Sequence, residues 1–188
     1  MVSKEFLEWV GADVTRHVRR SKGYEEGPWV NPLAPVDCVA AFSMARLLRE
    51  RGLFDHCVAV APEGHVYGYF FERLGVPVLS VHVDYPPRRV EVLDDLSVVR
   101  GGRVLLLEDD VISGVTLRLV LDALGRHAPR SLALYLGRRK EDQILENVPP
   151  EVRAVYLAED HLRPAEREKD EAEFVAFFGK CLAGQGDR

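Results

Sequence analysis

Three acidic residues and a short polar loop follow an apolar run near the middle of the chain. Residues 104–107 are apolar, Glu108, Asp109 and Asp110 come directly after them, and a loop opens shortly beyond, formed by Ser113, Gly114, Val115 and Thr116. A short apolar run bounded by turn residues is typical of a buried parallel strand, and open α/β sheets bind ligands at the carboxyl ends of such strands. Carboxylates there could hold sugar hydroxyls, while backbone N–H groups at a helix N-terminus could surround a phosphate. The spacing therefore predicts a ribose-phosphate site.

The whole stretch, VLLLEDDVISGVTL at residues 104–117, resembles the signature of the type I phosphoribosyltransferases. In that family an acidic pair holds the ribose hydroxyls of phosphoribosyl pyrophosphate (PRPP), and a Thr/Ser-Gly-x-Thr loop binds its 5-phosphate. The resemblance maps Asp109 and Asp110 onto the acidic pair, with Glu108 as an additional acid. It maps the phosphate loop onto Ser113, Gly114, Val115, Thr116 and Leu117. The alternative is a buried strand followed by a helix-capping loop, because Ser and Thr are common N-cap residues.

Strand and helix patterns repeat on both sides of this stretch. Apolar runs predict strands at residues 56–61, 76–83, 131–136 and 152–157. Helical spacing of apolar residues predicts helices at 37–50, 66–74, 117–124 and 165–182. Strands that alternate with helices predict an α/β fold of three layers, in which a mainly parallel β-sheet is covered by helices on both faces. The resemblance covers residues 37–160 and implies a small variable hood outside this core, for which residues 23–35 and 157–163 are candidates.

PRPP is strongly anionic, so the resemblance implies cations and close backbone approach near its pyrophosphate. Gly64 follows the first core strand, where the family's loop approaches the pyrophosphate. The resemblance places a closing lid at residues 84–102, and Arg88 with its neighbour Arg89 supplies the best cations there. Arg138 follows the strand at 131–136 and could contact the base or the pyrophosphate. The alternatives are a solvated turn for Arg88 and ordinary surface charge for Arg138.

Two acids depart from the family's pattern. Glu63 precedes Gly64, and Asp84 follows the second strand, where many members carry small or basic residues. These acids favour an alternative function, a non-catalytic sensor or regulator that binds PRPP or a nucleotide. A P-loop kinase and a dinucleotide-binding enzyme are excluded because the Gly-x-x-x-x-Gly-Lys-Ser/Thr and Gly-x-Gly-x-x-Gly motifs are missing.

The resemblance implies an enzyme that transfers the 5-phosphoribosyl group of PRPP to a nitrogenous base, with purines favoured, and releases pyrophosphate. Asp109, Asp110 and Arg88 are its predicted catalytic residues. Mg²⁺ is expected to arrive with PRPP and to use one or two carboxylates and substrate oxygens, so no dedicated metal site is predicted. The three cysteines, Cys38, Cys57 and Cys181, are far apart and form no zinc-binding or disulfide pattern.

Composition limits the remaining possibilities. The 188 residues are 47% hydrophobic and 29% charged, which suits a single domain over residues 1–188 with a sizeable core. We find no targeting segment and no apolar run of membrane-spanning length, and we expect a cytoplasmic protein with a frayed end at 184–188. The formal net charge of −5 argues against nucleic-acid binding. The apolar face of the helix at 165–182 is expected to pack on the sheet or to form a homodimer interface.

Overall fold

In a computed structural model of the chain, the described residues are 2–24, 37–84, 88–161 and 164–183. The helices are α1 (Lys4–Arg20), α2 (Cys38–Glu50), α3 (Gly64–Arg73), α4 (Val115–Gly125) and α5 (Pro164–Ala183). The strands are β1 (His56–Ala61), β2 (Val78–Asp84), β3 (Arg89–Val92), β4 (Arg103–Glu108), β5 (Ser131–Leu136) and β6 (Val152–Leu157). Most of these elements were predicted, because each carries a clear apolar period or a clear end signal. Asp37, for example, caps α2 by accepting hydrogen bonds from the N–H groups of Val39 and Ala40.

The six strands form one sheet in the order β3-β2-β1-β4-β5-β6. All neighbouring pairs are parallel except β2 and β3, which form an antiparallel hairpin. The parallel strands share one carboxyl edge and one amino edge, and β4 lies between β1 and β5. The predicted fold class, an α/β fold with a mainly parallel sheet, is confirmed.

Two apolar clusters lie on opposite faces of the sheet. Alternate strand residues enter each cluster, so that Leu105 and Leu107 belong to one and Val104 and Leu106 to the other. The first cluster is covered by α1, α2, α3 and α5, and the second by α4. The predicted layers of helices on both faces are therefore present. Within the described ranges, no helix is long and apolar enough to cross a membrane.

The aromatic face of α5 packs inside this chain. Phe174 and Phe178 are fully buried, and both rings contact Phe42 of α2, with centroids 5.7 and 5.4 Å from the Phe42 ring. This face therefore packs within the domain, on α2 rather than directly on the sheet, and the expected homodimer interface stays a prediction.

Part of the predicted lid at residues 84–102 packs on the sheet. Asp84 ends β2, the hairpin strand β3 follows, and Leu96 and Val99 in the next 3₁₀ turn are 1% and 0% exposed in the second cluster. Their burial holds the 3₁₀ turn against the sheet, so residues 96–99 are not part of a mobile lid, and for the hairpin the lid stays a prediction. Residues 85–87 of the predicted lid lie outside the described residues.

Three further predictions cannot be compared with the structure in full. Of the first hood candidate, residues 25–35 lie outside the described part of the chain, as do residues 162–163 of the second. The predicted frayed end at 184–188 also lies outside it.

Candidate functional site

The two predicted ribose-binding acids lie together at the carboxyl edge, directly after β4. Arg138, just beyond the end of β5, pairs with both: its Nη2 lies 2.7 Å from Asp109 Oδ2 and its Nη1 lies 2.8 Å from Asp110 Oδ2. The backbone N–H of Arg138 also donates to the carbonyl oxygen of Asp109, at 3.0 Å. One guanidinium therefore bridges the two acids. The sequence had suggested either a ligand contact or ordinary surface charge for Arg138, and neither included this bridge.

Gly137, between β5 and Arg138, lies against a buried aromatic ring. A Cβ atom on Gly137 would overlap the ring of Tyr67, a side chain of α3 that is 2% exposed. The buried ring lies beneath the loop that carries Arg138, and any larger residue at 137 would push that loop away from the acids.

Glu108 differs from the acids that follow it, because its carboxyl group is buried. It is the last residue of β4, is 8% exposed, and its Oε2 has no hydrogen-bond partner. Burial raises the pKa of Glu108 well above its usual value, and the nearby charges of Asp109 and Glu63 raise it further. A raised pKa favours the neutral form of this side chain, in which it can donate a hydrogen bond rather than supply negative charge.

Asp110 is half-buried and its pKa is also raised. Burial is the main cause and the charge of Asp109 adds to it, while Arg138 acts in the opposite direction. Arg138 thus limits the electrostatic cost of placing acids side by side at a partly buried edge.

The predicted phosphate loop lies at the N-terminus of α4. Gly114 has a φ of 69°, a conformation that favours glycine, and a Cβ atom there would overlap the carbonyl oxygen of Asn147. Ser113 is exposed, and its Oγ accepts a hydrogen bond from the N–H of Val115 at 3.3 Å. Leu117 is 1% exposed and its side chain belongs to the core, so only its backbone could face a ligand.

Two side chains that sequence reasoning missed hold this loop in place. Gln143 accepts a hydrogen bond from the N–H of Val111 at 2.7 Å and donates one to the carbonyl oxygen of Asp109 at 3.2 Å. Asn147 donates from Nδ2 to the carbonyl oxygen of Ile112 at 2.5 Å. Both residues lie more than thirty positions along the chain from their partners, so no local pattern indicated them.

Gly64 serves packing within the protein. It is the first residue of α3, and a Cβ atom there would overlap the carbonyl oxygen of Leu107 in β4. The missing Cβ atom of Gly64 therefore lets α3 pack closely on β4, and its approach to pyrophosphate stays a prediction. Glu63 lies beside it, and burial raises its pKa, with a further increase from Asp109. Glu63, the acid that departs from the family's pattern, is thus close enough to Asp109 to be affected by its charge.

The structure does not bring Arg88 to the acidic pair. Arg88 is exposed, has a φ of 59° and lies in the β2–β3 hairpin. It lies between β2 and β3, which are two and three strands from β4, so at ordinary strand spacing it is at least about 10 Å from β4. The second unexpected acid, Asp84, lies in the same hairpin and pairs with Arg89 at 3.5 Å and with His82 at 3.4 Å.

A cavity of about 850 Å³ opens beside Arg138. It is enclosed by the first turns of α1 and α2, by α5 and by the 3₁₀ turn Ala158–His161. Its described lining includes four basic and four acidic side chains, whose formal charges cancel, and the other lining residues are mainly small or apolar. Burial raises the pKa of Cys38, at the edge of the cavity, to about 12, so its thiol is uncharged.

No group of three or more His, Cys, Asp or Glu side chains that could hold a metal ion occurs among the residues that the structure describes. Asp109 and Asp110, paired with Arg138, are placed to offer one or two carboxylates to an ion that is bound mainly by other ligands.

Comparison with known proteins gives a likeness of fold at low identity. Neither the models of known protein families nor the curated proteins contain a match. Among solved structures, the chain is similar to a purine phosphoribosyltransferase from Pyrococcus horikoshii, with 17% identity over 63% of this chain and 78% of that chain and a TM-score of 0.42. It is similar to a hypoxanthine phosphoribosyltransferase from Staphylococcus aureus, with 16% identity over 63% and 72% of the two chains and a TM-score of 0.45. It is also similar to a hypothetical protein from Neisseria gonorrhoeae with bound ppGpp, with 17% identity over 71% and 90% and a TM-score of 0.44.

Proposed function

We propose that the protein transfers the 5-phosphoribosyl group of PRPP to a nitrogenous base and releases pyrophosphate. One observation carries the proposal: Asp109 and Asp110 lie at the carboxyl end of β4, and the Gly114 loop at the N-terminus of α4 follows them directly. A ribose held by the acids would extend its 5-phosphate towards the first N–H groups of the helix.

In this reaction the bond between C1 of the ribose and the pyrophosphate oxygen breaks, and a bond from C1 to a base nitrogen forms, while the proton on that nitrogen passes to solvent. Positive charge develops on the ribose in an oxocarbenium-like transition state. The carboxylates of Asp109 and Asp110, fixed by Arg138, would orient the hydroxyls and stabilise that charge. Mg²⁺ would neutralise charge on the pyrophosphate when it arrives with PRPP.

The cavity beside Arg138 is our candidate for the acceptor base. Its volume, about 850 Å³, is ample for a bicyclic ring. Because its described basic and acidic side chains balance, a neutral heterocycle fits it better than a carboxylated base, and we favour a purine.

The test is pyrophosphate release from PRPP and Mg²⁺ across a panel of purines, pyrimidines and orotate. We expect release that depends on a purine and falls about 100-fold or more in Asp109→Asn and in Asp110→Asn, since each variant loses a charge that acts on the transition state. Asp122→Asn removes an exposed acid of α4 and is the control. Unchanged release in both site variants would refute the assignment.

A second candidate function is a sensor that binds PRPP or a nucleotide without turnover. The observation that favours it is the balance of charge at the acidic pair itself: Arg138 is engaged by both acids, Arg88 lies in the distant β2–β3 hairpin, and Glu63 adds an acid. Binding of PRPP measured by calorimetry, together with no pyrophosphate release for any base of the panel, would favour the sensor. Such binding should still weaken in Asp109→Asn.

A further inference from the structure

A second cleft lies at the opposite edge of the sheet, where β4, β5 and β6 begin. It has a volume of about 380 Å³, and small residues of β5 and β6 form its floor, namely Ser131, Ala133 and Ala154. Three arginines line it: Arg103 begins β4, Arg130 precedes β5, and Arg153 lies near the start of β6. β4 is six residues long, so this cleft is about 20 Å from the acidic pair.

An irregularity in strand pairing contributes to this arrangement. In the β5–β6 pairing, Leu132 faces Val152 and Ala133 faces Ala154, so Arg153 is an extra residue on β6. Such a bulge changes the direction of the side chain that it carries, and bulges are frequent beside binding sites. The neighbouring β4–β5 pairing places Arg103 opposite Ser131, next to Arg130. Three arginines at or near the starts of adjacent strands thus line one cleft.

The positive charge of the cleft is only partly neutralised. Arg103 pairs with Asp55, at 2.7 Å, and donates to the carbonyl oxygen of Gly52. Arg130 and Arg153 are exposed, and neither has an ion-pair partner among the described residues. The described lining of the cleft contains no acidic residue. In a chain with a net charge of −5, this concentration of arginine favours an anion, and guanidinium groups suit phosphate because they donate in pairs.

Apolar side chains form the remaining walls. Leu53 is 36% exposed, which is high for a large apolar residue, and the partly buried Tyr156 also lines the cleft. A ligand that has only phosphate groups would leave these surfaces unused, whereas an aromatic ring could pack against them.

We propose that this cleft binds a nucleoside phosphate, whose phosphates pair with Arg130 and Arg153 and whose base lies against Leu53 and Tyr156. The site is separate from the carboxyl edge and does not depend on the function proposed for that edge. A bound nucleotide here would be an effector, since no reacting group of the acidic pair is within reach.

The experiment is isothermal titration calorimetry of the full chain with ATP and with tripolyphosphate at low salt. We expect ATP to bind more tightly than tripolyphosphate, and Arg130→Ala/Arg153→Ala to weaken ATP binding about tenfold or more, the value for losing hydrogen bonds to charged groups. Arg153→Lys, which keeps the charge but loses the paired donors, should give an intermediate loss. The matched control is Arg126→Ala, an exposed arginine at the end of α4 and outside the cleft.

Each alternative result has a defined meaning. ATP binding that survives in the double variant but is lost in Asp109→Asn would overturn the proposal, because it would place the nucleotide at the carboxyl edge. Equal affinity for tripolyphosphate would overturn the role given to Leu53 and Tyr156. Circular dichroism of the double variant checks its folding, which these exposed side chains should not affect. Since binding is measured without turnover, failure here is distinguishable from failure of the proposed transfer reaction.

Discussion

The two edges of the sheet differ in their charged side chains. At the carboxyl edge, Asp109 and Asp110 pair with Arg138, and Glu63 and Glu108 lie near Asp109. At the amino edge, Arg103, Arg130 and Arg153 line one cleft, and of these Arg103 pairs with an acid, Asp55. The same strands, β4 to β6, therefore present two surfaces of unlike composition about one strand length apart.

The acids at the two edges respond differently to their surroundings. Glu108 is buried, and burial raises its pKa well above the usual range. Asp55 is exposed, and hydrogen bonds from Arg103 hold its pKa well below that range. Desolvation dominates at the carboxyl edge and ion pairing at the amino edge. Chemistry that depends on carboxyl protonation is thus to be expected only at the carboxyl edge.

The largest effect that would test this difference concerns Arg138. Arg138→Met should lower pyrophosphate release about tenfold or more, because Asp109 and Asp110 lose the group that fixes them. It should also move the acidic limb of the pH–activity profile to higher pH, since Arg138 lowers the pKa of Asp110. Arg126→Met is the control. A fall in activity with an unmoved pH profile would show that Arg138 acts only by packing.

A smaller effect is expected from the packing beneath the carboxyl edge. Gly64→Ala should destabilise the fold by about 1–3 kcal/mol, the usual cost of overpacking, because its Cβ atom would overlap the backbone of β4. Gly179→Ala in α5 meets nothing within contact distance and should be slightly stabilising. Thermal unfolding of the two variants measures the contrast, and equal melting temperatures would contradict the role given to Gly64.

The smallest effect is the pH dependence of stability at Glu108. Its pKa is raised in the folded state, so the folded chain binds more protons than the unfolded chain between the ordinary carboxyl pKa and the raised value. Stability from this group therefore falls as pH rises through that interval. Glu108→Gln removes the titration, and its melting temperature relative to the parent should rise from pH 5 to pH 8. A constant difference would mean that Glu108 is not neutral in the folded protein.

Local signals were sufficient for the framework of the site. The apolar run of β4, the acids after it and the glycine before α4 are neighbours in sequence, and each was predicted in its observed place. The burial of Leu96 and Val99 within the predicted lid had no local signal, because it depends on a core formed by distant strands.

The sequence by itself determined the layered α/β fold and the position of Asp109, Asp110 and the Gly114 loop at a strand end. These features depend on the spacing of apolar residues and on turn residues, which are signals within a few positions of one another. Only the tertiary structure decided that Arg138 bridges the acids, that burial raises the pKa of Glu108 and that three arginines line one cleft at the amino edge. These features depend on the register of parallel strands that lie far apart in the chain, and on the burial that their packing creates.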